Sequence, residues 1–108
     1  MNATLEGIGA SPGRAQGRVR WVLCPDDLET FQIGEILLAK MTSPDWGAVF
    51  QKAAAVVTEQ GGMLCHAAIV AREAEIPAVV GVGESLAQFL NGAMVIVDGD
   101  EASIAGLD

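Results

Sequence analysis

The sequence predicts an α/β domain: a central sheet with parallel strand pairs and helical cover. Short apolar runs of strand length recur through the middle of the chain, "EILLAK" at 35–40, "AAVVTEQGG" at 54–62 and "IPAVVGVG" at 76–83. Segments that read as helix, 44–52 and 66–74, alternate with them, which is the pattern of parallel strands joined by crossovers. Glycine, proline and hydroxyl residues mark the joints.

Taken in order, "GIGASPGRAQG" is a Gly/Ser/Pro-rich opening that suits a loop or an irregular strand, and "GRVRWVL" alternates as an edge-type strand. "CPDDLETFQIG" is read as connection. "EILLAK" has the length of a buried strand and stops at "MTSPDW", where Thr42 or Ser43 caps a helix and Pro44 fits its first turn. That helix is expected to run through about Lys52. "AAVVTEQGG" is a second buried strand that breaks into a glycine loop, and "HAAIVAREA" is a second helix. "IPAVVGVG" is again strand, "ESLAQFLNG" a short helix ended by glycine, and "AMVIVDGD" the last strand.

At 108 residues, 51% of them hydrophobic and 19% charged, the chain is read as one globular domain, residues 1–108. Its apolar runs fall well short of the ~20 residues that span a bilayer, and the start lacks the basic and apolar parts of a signal peptide. The expected compartment is the cytoplasm, with Cys24 and Cys65 as reduced thiols and no zinc-site spacing around them. With 14 acidic residues against 6 basic, a nucleic-acid backbone or an anionic membrane would be repelled, so the partners are expected to be proteins. After Lys52 the only cation is Arg72.

His66 is the single histidine, placed directly at the start of a predicted helix and shortly after Gly61 and Gly62. Ala67, Ala68, Ile69, Val70 and Ala71 leave that helix no polar face over a full turn, so it is expected to be buried. A helix N-terminus presents unpaired N–H groups and partial positive charge, which suits an anion, and the glycine pair lets the backbone approach closely. A neutral imidazole there is suited to accept a phosphoryl group. Spacing alone leaves the plainer alternative of a capping or satisfied buried histidine.

"TEQGGMLCHAAIVAREAEIPAVVGVG" resembles the active-site stretch of the phosphohistidine swivelling domain of PEP-utilising enzymes, the mobile domain found in phosphoenolpyruvate synthase, pyruvate phosphate dikinase, rifampin phosphotransferase and enzyme I of the sugar phosphotransferase system. "GIGASPGRAQGRVR" is similar to that family's entry segment, "GEILLAKMTSPDW" to its next strand and turn, and "LNGAMVIVDGDEASI" to its closing hairpin region. The resemblance implies a swivelling β/β/α domain with the active histidine at a helix N-terminus. It implies that His66 accepts phosphate from one partner site and delivers it to another, with Gly61, Gly62 and Cys65 as the phosphate-site loop. Thr42 and Ser43 fall in a turn expected to approach the histidine, so a hydroxyl contact to His66 competes with capping there. Arg72 lies about 240° round the helix from His66, so it is expected to pair with a carboxylate or a docked partner rather than with phosphate.

The same resemblance implies no cofactor or metal bound by this domain itself. Mg2+ and ATP or PEP belong to partner domains, an ATP-binding one and one that binds PEP, pyruvate or another acceptor, acting in trans or within a parent enzyme. The alternative is a non-catalytic interaction or regulatory module that retains the fold. Two positions depart from the family pattern: Glu75 and Ala102 stand where glycine is usual. At Glu75 the helix end must then place a non-glycine residue at positive φ or close differently.

Overall fold

The computed structural model describes residues 3–107, and among them eight strands join in one mixed sheet. The strands are β1 (Thr4–Glu6), β2 (Ile8–Ser11), β3 (Arg14–Trp21), β4 (Ile36–Ala39), β5 (Ala55–Thr58), β6 (Ala78–Val80), β7 (Met94–Asp98) and β8 (Ser103–Gly106), in the spatial order β1-β8-β7-β3-β4-β5-β6-β2. Neighbours from β3 through β6 run parallel, and the remaining pairs are antiparallel. The helices are α1 (Asp26–Thr30), α2 (Gly47–Phe50) and α3 (His66–Ala74).

β4, β5 and β6 are buried along their whole length, which explains their continuous apolar sequences. Because side chains alternate across a strand, each divides its residues between two cores. Ile36, Leu38, Ala55, Val57 and Val79 meet Val19, Val95, Val97 and Ile104 from the other half of the sheet. Leu37, Val56, Ala78 and Val80 meet Phe50 and the Ala67, Ala68 and Ala71 face of α3. The sheet therefore folds back on itself in two layers and α3 covers the outside of one, giving β/β/α layering. β3 makes the turn between halves: Arg14–Arg18 pair antiparallel with β7, and Val19–Trp21 pair parallel with β4.

Several expectations are corrected. β3 is paired on both sides and is no edge strand. Its alternation reports one solvent-facing side, whereas edge status is a matter of hydrogen bonding in the sheet plane, which side-chain polarity does not record. The edges are the short β1, ahead of the glycine-rich opening, and β2, within it. The 24–34 connection contains α1, five residues with none buried and so no apolar period to read. It starts where the Asp27 carboxylate accepts the N–H groups of Leu23 (2.9 Å) and Cys24 (3.3 Å). Those bonds, the Leu23 one foremost, hold the Asp27 carboxyl below its ordinary range. The segment at 44–52 is a 3-10 turn, Pro44–Trp46, followed by the single turn α2, and "ESLAQ" is 3-10 rather than α. β7 is not last, since β8 returns beside it, completing the expected closing hairpin. On α3, Ile69 is 42% exposed, so the helix buries one face only.

Candidate functional site

The site is built where β4 and β5 end side by side, at the carboxyl edge of parallel strands where crevices form in such sheets. Glu59 N–H bonds Ala39 O and Gln60 N–H bonds Lys40 O, both at 3.0 Å, so the two exits stay together beyond the strands. Thr58 is fully buried and its hydroxyl donates to Gln60 O at 2.6 Å, turning the chain outward. Gly61 follows at φ +120, where a Cβ would lie 2.8 Å from Cys65 Sγ. Gly81, at φ +69, packs against the same loop: a Cβ there would lie 2.8 Å from Gly61 O. Side chains at these two positions would push the loop away. Cys65 N–H bonds Gly62 O at 3.1 Å, and Cys65, extended and without a side-chain cap bond, delivers the chain into α3.

His66 is the first residue of α3 and is half-buried. Its Nδ1 lies 2.7 Å from Thr42 Oγ1, and the ring stands edge-on to Phe50 with centroids 5.9 Å apart. Two neighbours from separate elements thus set the ring orientation and engage one nitrogen, leaving Nε2 as the other. The first helical bond runs from Ile69 N–H to Cys65 O, so the N–H groups of His66, Ala67 and Ala68 stand ahead of the ladder. Beside them opens a cavity of about 220 Å³ lined by Met41, Thr42, Thr58, Gln60, Gly61, Cys65, His66 and Ala67. None of these is a Lys, Arg, Asp or Glu. Among the described residues no three His, Cys, Asp or Glu side chains gather as a metal cage.

The structure brings Thr42, Gly61, Cys65 and His66 together around that cavity. Ser43 is turned away: its hydroxyl donates to the Asp45 carboxylate, and neither Ser43 nor Thr42 caps the following turn through its side chain. Gly62 differs from Gly61, since a Cβ would meet open space there and close approach demands nothing of it. Among the described residues Arg72 pairs with no carboxylate. Its guanidinium donates to Met63 O (2.7 Å) and Ala10 O (2.8 Å), clamping the histidine loop to β2. Main-chain carbonyls carry no residue-type signature, so the sequence points to a carboxylate partner instead. Phe50, Thr58 and Gln60 escaped the sequence reading. Only Gly81, in the "VVGVG" run, had a signal that would have found it.

The family model of the mobile domain of PEP-utilising enzymes matches residues 31–102. A probable phosphoenolpyruvate synthase of Archaeoglobus fulgidus is 43% identical over 100 residues, which cover 93% of this chain and 13% of that protein. The phosphoenolpyruvate synthase of Aeropyrum pernix is 45% identical over 101 residues, with coverage of 93% and 12%. This chain thus spans about an eighth of the length of these relatives. The NMR solution structure of an Enzyme I protein superposes with a TM-score of 0.63 at 34% identity, covering 73% of this chain and 33% of that one. The match over 31–102, in a chain whose β/β/α layers hold a histidine at a helix N-terminus, makes this protein a member of the PEP-utilising enzyme mobile domain family.

Proposed function

We propose that the chain works as one phosphoryl carrier domain, with His66 Nε2 as the atom that is phosphorylated. The observation that carries this reading is the pairing of Thr42 Oγ1 with Nδ1 at 2.7 Å beside an open cavity at the N-terminus of α3. In the tautomer with the proton on Nδ1, that N–H donates to Thr42 and Nε2 keeps its lone pair. Nε2 attacks the phosphorus of the donor in line, the N–P bond forms, and the P–O bond to the leaving group breaks with its electron pair going to the departing oxygen. Delivery reverses the step, with an acceptor oxygen displacing Nε2.

The N–H groups opening α3 and the positive end of the helix favour the arriving phosphate charge. Gly61 and Cys65 shape the floor on which it rests. The remaining machinery belongs to partner domains: Mg2+ with ATP or PEP on the donor, and an acceptor site for pyruvate or another substrate. The cytoplasm, where ATP and PEP are made, is the compartment that fits. The test is intact mass after incubation with PEP or ATP and candidate donor domains, run beside His66→Ala. One added acid-labile phosphoryl group, lost in the variant, is expected. A folded protein that gains none with any donor would return the chain to a non-catalytic interaction module.

A further inference from the structure

Four large apolar side chains that reach solvent gather around His66. Met41, 59% exposed, lines the histidine cavity. Met63 and Leu64 stand on the loop that leads into α3, and Leu64 is 85% exposed. Ile69, three residues after His66, is its neighbour on the same face of α3. Single exposed apolar residues are ordinary, but a group of them around one reactive side chain marks an interaction surface.

The charges around this group lean acidic. Glu73, seven residues after His66, falls on the same stripe of α3; Asp45 follows the Thr42 turn, and Glu59 leads into the glycine loop. Against these acids the nearby cations are Lys40 and Arg72, and both Arg72 terminal nitrogens already donate to carbonyls. No Lys or Arg lines the cavity. A phosphoryl group bound for Nε2 therefore brings its negative charge to a cavity that no Lys or Arg among the described residues lines, on a chain of net charge -8, so counter-charge from the other side of the interface complements it.

We propose that Met41, Met63, Leu64 and Ile69 form a docking collar whose occupant is the phosphoryl-donating catalytic domain, which presents an apolar seat ringed by lysine and arginine side chains. The proposal rests on the carrier reading of His66. It assigns the apolar contacts to holding the complex and the partner's basic ring to steering the acidic carrier and neutralising the phosphate in flight.

The test compares two donors. Phosphoramidate is a small phosphodonor that needs no docking; the protein donor is a phosphoenolpyruvate synthase whose own mobile-domain histidine has been replaced by alanine, supplied with Mg2+ and ATP. The variants are Met63→Ser with Leu64→Ser, and Ile33→Ser as a control at an 84% exposed apolar residue preceding β4, at the strand's far end from the site. Equal labelling of all proteins by phosphoramidate is expected, with enzyme-driven labelling of the double variant slowed by about tenfold or more, the loss of two apolar anchors. Enzyme-driven labelling of the unaltered chain should also slow as salt is raised. Equal enzyme-driven rates in the double variant would overturn the collar, as would an unaltered chain that phosphoramidate labels and the enzyme does not. Failure of both donors on the unaltered chain would instead remove the carrier reading, and the collar with it.

Discussion

His66 has two ring nitrogens, and the Thr42 hydroxyl at 2.7 Å engages only Nδ1. If that bond positions the ring and selects the tautomer, Thr42→Val should slow phosphorylation of His66 by roughly tenfold, the equivalent of one neutral hydrogen bond, while Thr42→Ser keeps most of the rate. Ring 15N shifts provide the separate check: the population protonated on Nδ1 should fall in the valine variant, and unchanged shifts would show that Thr42 does not set the tautomer. Backbone strain is also a residue-scale matter. Glu75 at φ 60 and Ala102 at φ 57 are the positive-φ residues other than glycine among those described. Glu75 stands just past α3, where Glu75 N–H to Arg72 O and Ile76 N–H to Ala71 O form the paired bonds of a Schellman ending. An L side chain in that conformation is strained by roughly 1–2 kcal/mol, part of which glycine returns through unfolded-chain entropy. Glu75→Gly should therefore raise stability by up to about 1 kcal/mol in urea unfolding, and a loss of stability would show that Glu75 makes compensating contacts.

At the scale of elements, α3 serves the site from both ends. Its first turn carries His66, and Arg72 in its last turn holds Met63 O and Ala10 O, so one side chain ties helix, histidine loop and β2 together. Hydrogen bonds from a charged donor are worth more than neutral ones, and Arg72→Gln is expected to cost about 1–3 kcal/mol. The telling measurement is hydrogen exchange. The Cys65 amide, bonded to Gly62 O across the loop, should lose protection while the β5 amides keep theirs. Equal loss at both places would mean that Arg72 stabilises the fold as a whole and not the loop.

Across the whole molecule, stability and site belong to different layers. The core between the two halves of the sheet contains Leu38, fully buried, and the core under the helices contains Phe50, which also faces the histidine ring. Leu38→Ala should lower stability by about 2–5 kcal/mol, the range for a truncated core leucine, visible as a lower unfolding midpoint. Since Leu38 faces away from α3, the variant held below its midpoint should still accept phosphate at His66 at close to the unaltered rate. A parallel drop in rate would mean that the sheet-to-sheet core sets the geometry of the histidine loop.

The chain's own residues determined the α/β class, the burial of β4 and β5, the existence of β6, the bounds of α3, and the setting of His66 behind glycine, because apolar period, strand length and helix punctuation are local properties. The two departures from glycine, Glu75 and Ala102, were legible as well, and both adopt positive φ. Tertiary structure alone decided the rest. That β3 lies mid-sheet, that α1 and the edge strands exist, that Thr42 reaches His66 while Ser43 turns to Asp45, and that Arg72 clamps carbonyls on two other segments are all outcomes of long-range pairing. Backbone acceptors look alike at every position, and in-plane strand partners leave little trace in side-chain polarity, so such pairings become visible only once the layers are assembled.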